Sequence, residues 1–71
     1  MNYVSIQGPE SGGIDRRTGD EYPIWTVCVA DEDGEPRGRV YTLRSLSGAR
    51  QLGREMSRDR RLPVADEATA A

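Results

Sequence analysis

YPIWTVCVADEDGEPRGRVYTL, residues 22–43, is the stretch that decides the fold. From Ile24 to Val29 the side chains are β-branched, aromatic or small, and both alternating faces are fairly apolar. A strand apolar on both sides belongs in the middle of its sheet. Pro23 is tolerated because a strand's first residues can lack a ladder donor. Asp31-Glu32-Asp33-Gly34-Glu35-Pro36 then breaks the run, with Asp33-Gly34 offering the positive φ that a tight reversal needs. Alternation resumes from Gly38 to Arg44, with Arg39, Tyr41 and Leu43 opposite Val40 and Thr42. Two strands around a short acidic turn make a hairpin.

N-terminal to the hairpin, Tyr3–Gln7 also alternates, Val4 and Ile6 against Tyr3, Ser5 and Gln7, which predicts a half-buried strand. Gly8, Pro9, Gly12, Gly13 and Thr18-Gly19-Asp20 are turn signals, so residues 8–21 read as a long mobile loop. C-terminal to the hairpin, Ser45 or Ser47 can cap a helix, since a serine oxygen accepts a free N–H of the first turn. Leu46, Ala49, Leu52, Gly53 and Met56 recur at helical spacing, and Pro63 stops the helix. The expectation is an α+β fold: a three-stranded, mainly antiparallel β-sheet with one α-helix packed across one face (β-β-β-α). One domain would span residues 1–64, with 65–71 a flexible tail. The expected core is Val4, Ile6, Trp25, Val27, Val29, Tyr41, Leu43, Leu52 and Met56, and the pattern leaves open which face of the central strand meets the helix.

A chain of 71 residues buries only ~60% of its unfolded surface, so its core is small. A single cysteine, Cys28, makes no internal disulfide, and with no histidine the chain lacks a structural zinc set. No apolar run approaches the roughly 20 residues of a membrane span, and the N-terminus carries neither the basic nor the long apolar region of a secretory signal. A lone unpaired Cys28 fits a reducing, cytoplasmic setting. Asp31–Glu35 evokes a calcium loop, but position 40, where a Glu ligand would stand, is Val. No metal and no cofactor are expected.

Charge is segregated along the chain. Residues 1–35 carry eight carboxylates against Arg16 and Arg17, whereas residues 36–71 carry eight arginines against four acids. The net charge of −2 therefore conceals a dipole, which points to a charged partner. With no histidine and no lysine, and with no base beside Cys28, the usual acid–base and nucleophilic groups are missing, and the reading is not an enzyme. Two surfaces are candidates. Asp31, Glu32, Asp33 and Glu35 crowd the hairpin turn, with Asp20 and Glu21 just before the central strand, and together they could meet a cationic partner surface. Alternatively, Arg50, Arg54 and Arg58 fall at i, i+4 and i+8 of the helix and could track nucleic-acid phosphates. Against that alternative stands an overall pI near 5.0.

A very short, acidic, arginine-only chain with this strand–hairpin–helix layout resembles the small anti-CRISPR proteins of phages and mobile elements, most specifically inhibitors of the type I-C system. Ile24–Ala30, the acidic turn Asp31–Glu35, Arg39–Leu43 and Leu46–Met56 carry the resemblance. It implies non-enzymatic binding to the CRISPR-Cas effector complex Cascade, at a subunit such as Cas8 or Cas7. The consequence would be a block on target-DNA or Cas3 recruitment in the cytoplasm of a bacterial host. The implied inhibitor would be a monomer or weak homodimer, contacting its target through Asp20, Glu21, Asp31, Glu32, Asp33 and Glu35 and making no direct contact with nucleic acid or membrane.

Overall fold

The computed structural model describes all 71 residues as strand β1 (Tyr3–Ile14), strand β2 (Glu21–Ala30), strand β3 (Pro36–Leu43), helix α1 (Leu46–Arg60) and a short strand β4 (Val64–Asp66). The sheet order is β3-β2-β1-β4. β1/β2 and β2/β3 are antiparallel, while β4 runs parallel to β1, so the sheet is mixed. The expected three strands and one helix are present, and β4 is an addition. Three residues are too few to register a period, so β4 left no trace in the sequence pattern.

One face of β2 meets the helix, and it is the face of Trp25, Val27 and Val29. These side chains join Val4 and Ile6 of β1, Ala49 and Met56 of α1, and Ala68 in a single core. Tyr41, Leu43 and Leu52, expected in the core, are only half-buried at its margin. Tyr41 and Leu43 belong to an edge strand, which has a neighbour on one side only. Gly53 lets α1 lie close to β1: a Cβ there would stand 2.5 Å from Ile6 Cδ1. Ser45 caps the helix through the Gly48 amide at 3.0 Å, and Arg61 closes it in the left-handed conformation, with the Leu62 amide donating to the Ser57 carbonyl.

Of residues 8–21, expected to form one long loop, only residues 15–20 form a turn. β1 continues through Ile14 and pairs with β2 up to Ile14–Glu21, with register shifts between Gln7 and Glu10 and between Ser11 and Ile14. Gly8, Gly12 and Gly13, which read as breakers, serve instead as bulge and contact points, whereas Gly19 stands in the turn as expected. A Cβ on Gly12 would sit 2.3 Å from the Tyr22 ring and 2.4 Å from Ile24 Cγ2, so only glycine lets those side chains cross the ribbon. β3 joins the sheet only from Trp25 onward, and the β4 side is covered only as far as Gly8. Beyond these points β1 and β2 project as a two-stranded arm, which accounts for an overall shape of 42 × 21 × 18 Å.

Nor does the C-terminal segment hang free. The Glu67 and Thr69 amides donate to the Ile6 and Gly8 carbonyls, and Trp25 Nε1 donates to the Thr69 carbonyl at 3.0 Å. Ala68 is buried beneath it. Short alanine-rich tails carry little side-chain signal, and this one is held mainly by its backbone. No helix is long and apolar enough to cross a membrane.

Candidate functional site: the β2–β3 turn and the helix arginines

Asp31 organises the turn between β2 and β3. Its Oδ1 accepts from the amides of Asp33 at 2.9 Å and Glu35 at 3.0 Å, while Oδ2 accepts from Arg37 Nε at 3.0 Å. Backbone bonds between Asp31 and Glu35, and from the Gly34 amide to the Asp31 carbonyl, close the loop. The Glu35 amide, then the Asp33 amide and the Arg37 guanidinium, hold this carboxyl below the usual aspartate range against some desolvation. Only 15% of the Asp31 side chain is exposed. It is a structural group with its acceptor positions largely used.

What remains for a partner is smaller than the sequence suggested. Glu32 is exposed and forms an ion pair with the Met1 ammonium, itself exposed. Solvent-exposed pairs of this kind contribute little and exchange readily for a better partner. The carboxylates of Asp33 and Glu35 are exposed and make no hydrogen bond or ion pair within the protein. An open, polar cleft of about 260 Å³ lies between this turn and the N-terminus, lined by Met1, Asn2, Asp31, Glu32, Asp33 and Arg37. The exposed negative pole is therefore Glu32, Asp33 and Glu35, of which Asp33 and Glu35 are unpaired, crowded onto four consecutive positions that a single internal aspartate holds in shape.

Asp20 and Glu21 are not part of it. Asp20 precedes β2 and Glu21 is its first residue, whereas Asp31 follows it, so a strand of ten residues at about 3.3 Å each sets the two groups about 30 Å apart. Both are exposed near the end of the arm. A strand carries its two flanking loops to opposite ends of the molecule, so acids that are neighbours in a count are remote in space.

The helix arginines divide as well. Arg50 donates from Nε to Asp66 Oδ2 at 2.9 Å and from Nη2 to the Ala68 carbonyl at 3.1 Å, pinning the C-terminal segment. Arg54 and Arg58 are exposed and make neither a hydrogen bond nor an ion pair. Two cationic groups played no part in the sequence reading of the acidic turn: Arg37 and the chain's own ammonium, both lying against it. Arg37 follows Asp31 by six residues across the turn, a spacing with no local periodic signal.

Cys28 lies half-buried on the sheet face away from the helix, and burial pushes its thiol pKa up, which favours the un-ionised form. The chemistry this arrangement offers is hydrated carboxylates at one pole and free guanidiniums at another. No protein-family model matches the chain, and no curated protein or solved structure proves similar to it.

Proposed function

We propose that this protein is a non-enzymatic inhibitor that binds a cationic surface of a nucleic-acid-handling complex through the β2–β3 turn. The target implied by the resemblance is the type I-C Cascade complex, and the inhibited step is target-DNA or Cas3 recruitment. The observation that carries this reading is the set Glu32, Asp33 and Glu35, exposed on a turn that Asp31 already holds rigid. A preorganised turn loses little freedom on binding, so more of the contact energy appears as affinity. Clustered negative charge also steers approach to a basic surface and raises the association rate at low salt.

Relative to the expected contact set, Asp31 becomes the residue that shapes the turn, and Asp20 and Glu21 fall outside the contact. Mixing the chain with purified type I-C Cascade tests the reading directly. Co-elution together with reduced target-DNA or Cas3 binding supports it. Separate elution with full DNA and Cas3 binding ends it.

A further inference from the structure

The second charged pole lies on α1 and owes nothing to the acidic turn. Arg54 and Arg58 stand four residues apart on one flank of the helix, and Arg61 at its C-terminal cap continues the row. At 1.5 Å per residue the row covers about 10 Å of helix axis. Its position around the sheet follows from Arg50, one helical step earlier on the same flank, which reaches Asp66 of β4. The row therefore flanks the β4 edge, whereas the acidic turn joins β2 to β3 at the opposite edge.

Packing does not account for these arginines. Arg54, Arg58 and Arg61 are exposed and engage in no ion pair, hydrogen bond or ring contact through their guanidiniums. Their spacing sets like charge beside like. Arg50–Arg54 and Arg54–Arg58 are i,i+4 pairs of the same sign, as is Glu55–Asp59, and the one opposite-sign neighbour of the row is Glu55, three residues before Arg58, with which it forms no ion pair. The like-sign pairs repel, whereas a helix built only for solubility interleaves its signs along each face. Arg58 and Arg61 gain from the helix dipole near the C-terminus, but Arg54, two turns from the cap, gains little from it. The fold thus tolerates a ladder of guanidiniums whose first member, Arg54, has no partner in the protein and little help from the helix dipole.

We infer that Arg54, Arg58 and Arg61 form a binding surface for the phosphate backbone of duplex nucleic acid. Guanidinium forks match phosphate oxygens, and a convex helix flank presents them in a line. The flank carries no aromatic side chain, so it lacks a stacking platform for single-stranded bases. Binding is therefore backbone-directed and indifferent to base sequence. Arg50, which sequence spacing groups with this row, is excluded because Asp66 and the Ala68 carbonyl already occupy it.

Fluorescence anisotropy with a labelled duplex of about 20 base pairs tests this on the intact chain alone, without Cascade, so it stands or falls separately from the proposed function. Three phosphate contacts give a slope near −2.7 in log K against log salt, a loss of about fortyfold between roughly 50 and 200 mM. Arg54→Gln with Arg58→Gln leaves about one contact and reduces that salt effect to about fourfold or less. Arg54→Lys with Arg58→Lys retains the charge and most of the salt effect, which separates charge from helix integrity. Arg16→Gln with Arg17→Gln, at the end of the arm, changes neither affinity nor slope. A duplex of different sequence binds equally well. Absence of binding at low salt overturns the inference, as does a slope unchanged by the Arg54 and Arg58 substitutions to Gln.

Discussion

At each end of β2 the chain reverses through a turn that opens on an aspartate. In Asp15–Asp20 the Arg17 amide donates to Asp15 Oδ1 at 2.8 Å, and in Asp31–Glu35 the Asp33 amide donates to Asp31 Oδ1 at 2.9 Å. Each turn then uses a glycine in a positive-φ conformation, Gly19 at 77° and Gly34 at 83°. The local chemistry is shared, because a short carboxylate can stand in for a backbone acceptor at the start of a turn. The surroundings differ. The first turn ends an arm in which residues 9–21 include none that is buried, and its acids are balanced by Arg16 and Arg17. The second is tied to the body through Arg37 and leaves Glu32, Asp33 and Glu35 projecting. Similar turns thus produce one electrically mixed tip and one negative pole.

The sharpest way to break this contrast is to reverse charge at each end separately. Replacing Glu32, Asp33 and Glu35 by Arg should weaken Cascade binding by more than about a hundredfold, equivalent to roughly 2.7 kcal/mol, because like charges across an interface repel strongly. Asp20→Arg with Glu21→Arg should change it by less than about threefold. Urea unfolding should move by less than about 0.5 kcal/mol in both cases, since the substituted side chains are exposed. Equal losses from the two ends would mean that the ends do not differ in function.

The arm itself can be broken next. Gly12→Val forces a side chain into the space held by Tyr22 and Ile24, and overpacking of this kind costs about 1–3 kcal/mol. The loss should be local. Amide exchange should accelerate across residues 9–14 and 21–24, while Val27 and Val29 in the body remain protected. Faster exchange in both regions would show that arm and body unfold as one unit.

Why the arm escaped a reading from sequence is clear from the same glycine. Gly, Pro and Ser are punctuation when only local preference is considered, and residues 8–13 contain little else. What keeps them extended is the pairing with β2 and the Tyr22 ring lying across Gly12, neither of which leaves a periodic mark. The β2–β3 hairpin, the Ser45 cap and the apolar face of α1 were legible because each depends on neighbours within a few residues. For the site, the position of the acids was legible but their availability was not. Asp-x-x-Gly at Asp31 and the related Asp15 turn are local signals that mark the first aspartate as structural. The Arg37, Met1 and Asp66 partnerships are set by the fold.

Smaller effects separate the two aspartates. Asp15→Ala removes one amide acceptor and should cost about 0.5–1.5 kcal/mol. Asp31→Ala removes acceptors for two amides and Arg37, so its urea midpoint should fall further. Acid titration gives an independent check. The Asp31 carboxyl is held below its unfolded value by those amides, so its contribution is complete above about pH 4 and is lost as pH falls through the lower, folded value. Thermal melts below about pH 4 should show a shallower decline for Asp31→Ala than for the unsubstituted chain. Parallel declines would mean that the turn does not depend on this ionised group.

The smallest expected effect lies where the arm meets the body. Arg44, just past β3, sets its guanidinium carbon 3.8 Å from the centre of the Tyr22 ring, on the sheet face away from the helix. Tyr22 thereby contacts Gly12 across the ribbon and a cation just past the neighbouring strand, so the ring links arm and body. An exposed cation–π pair contributes about 0.5–1 kcal/mol, and the coupling energy from a cycle of Arg44→Met and Tyr22→Leu should fall in that range. Arg44→Lys should preserve part of it, since an ammonium also favours the ring face but lacks the flat stacking surface. The order matters more than the size: if Arg44 steadies the arm, exchange in residues 21–24 rises in Arg44→Met while the Asp31–Glu35 turn, at the far end of β2, does not respond. A coupling of zero would leave the arm held by Gly12 and the β1–β2 ladder alone, and the stiffness of the mixed tip would then have no link to β3.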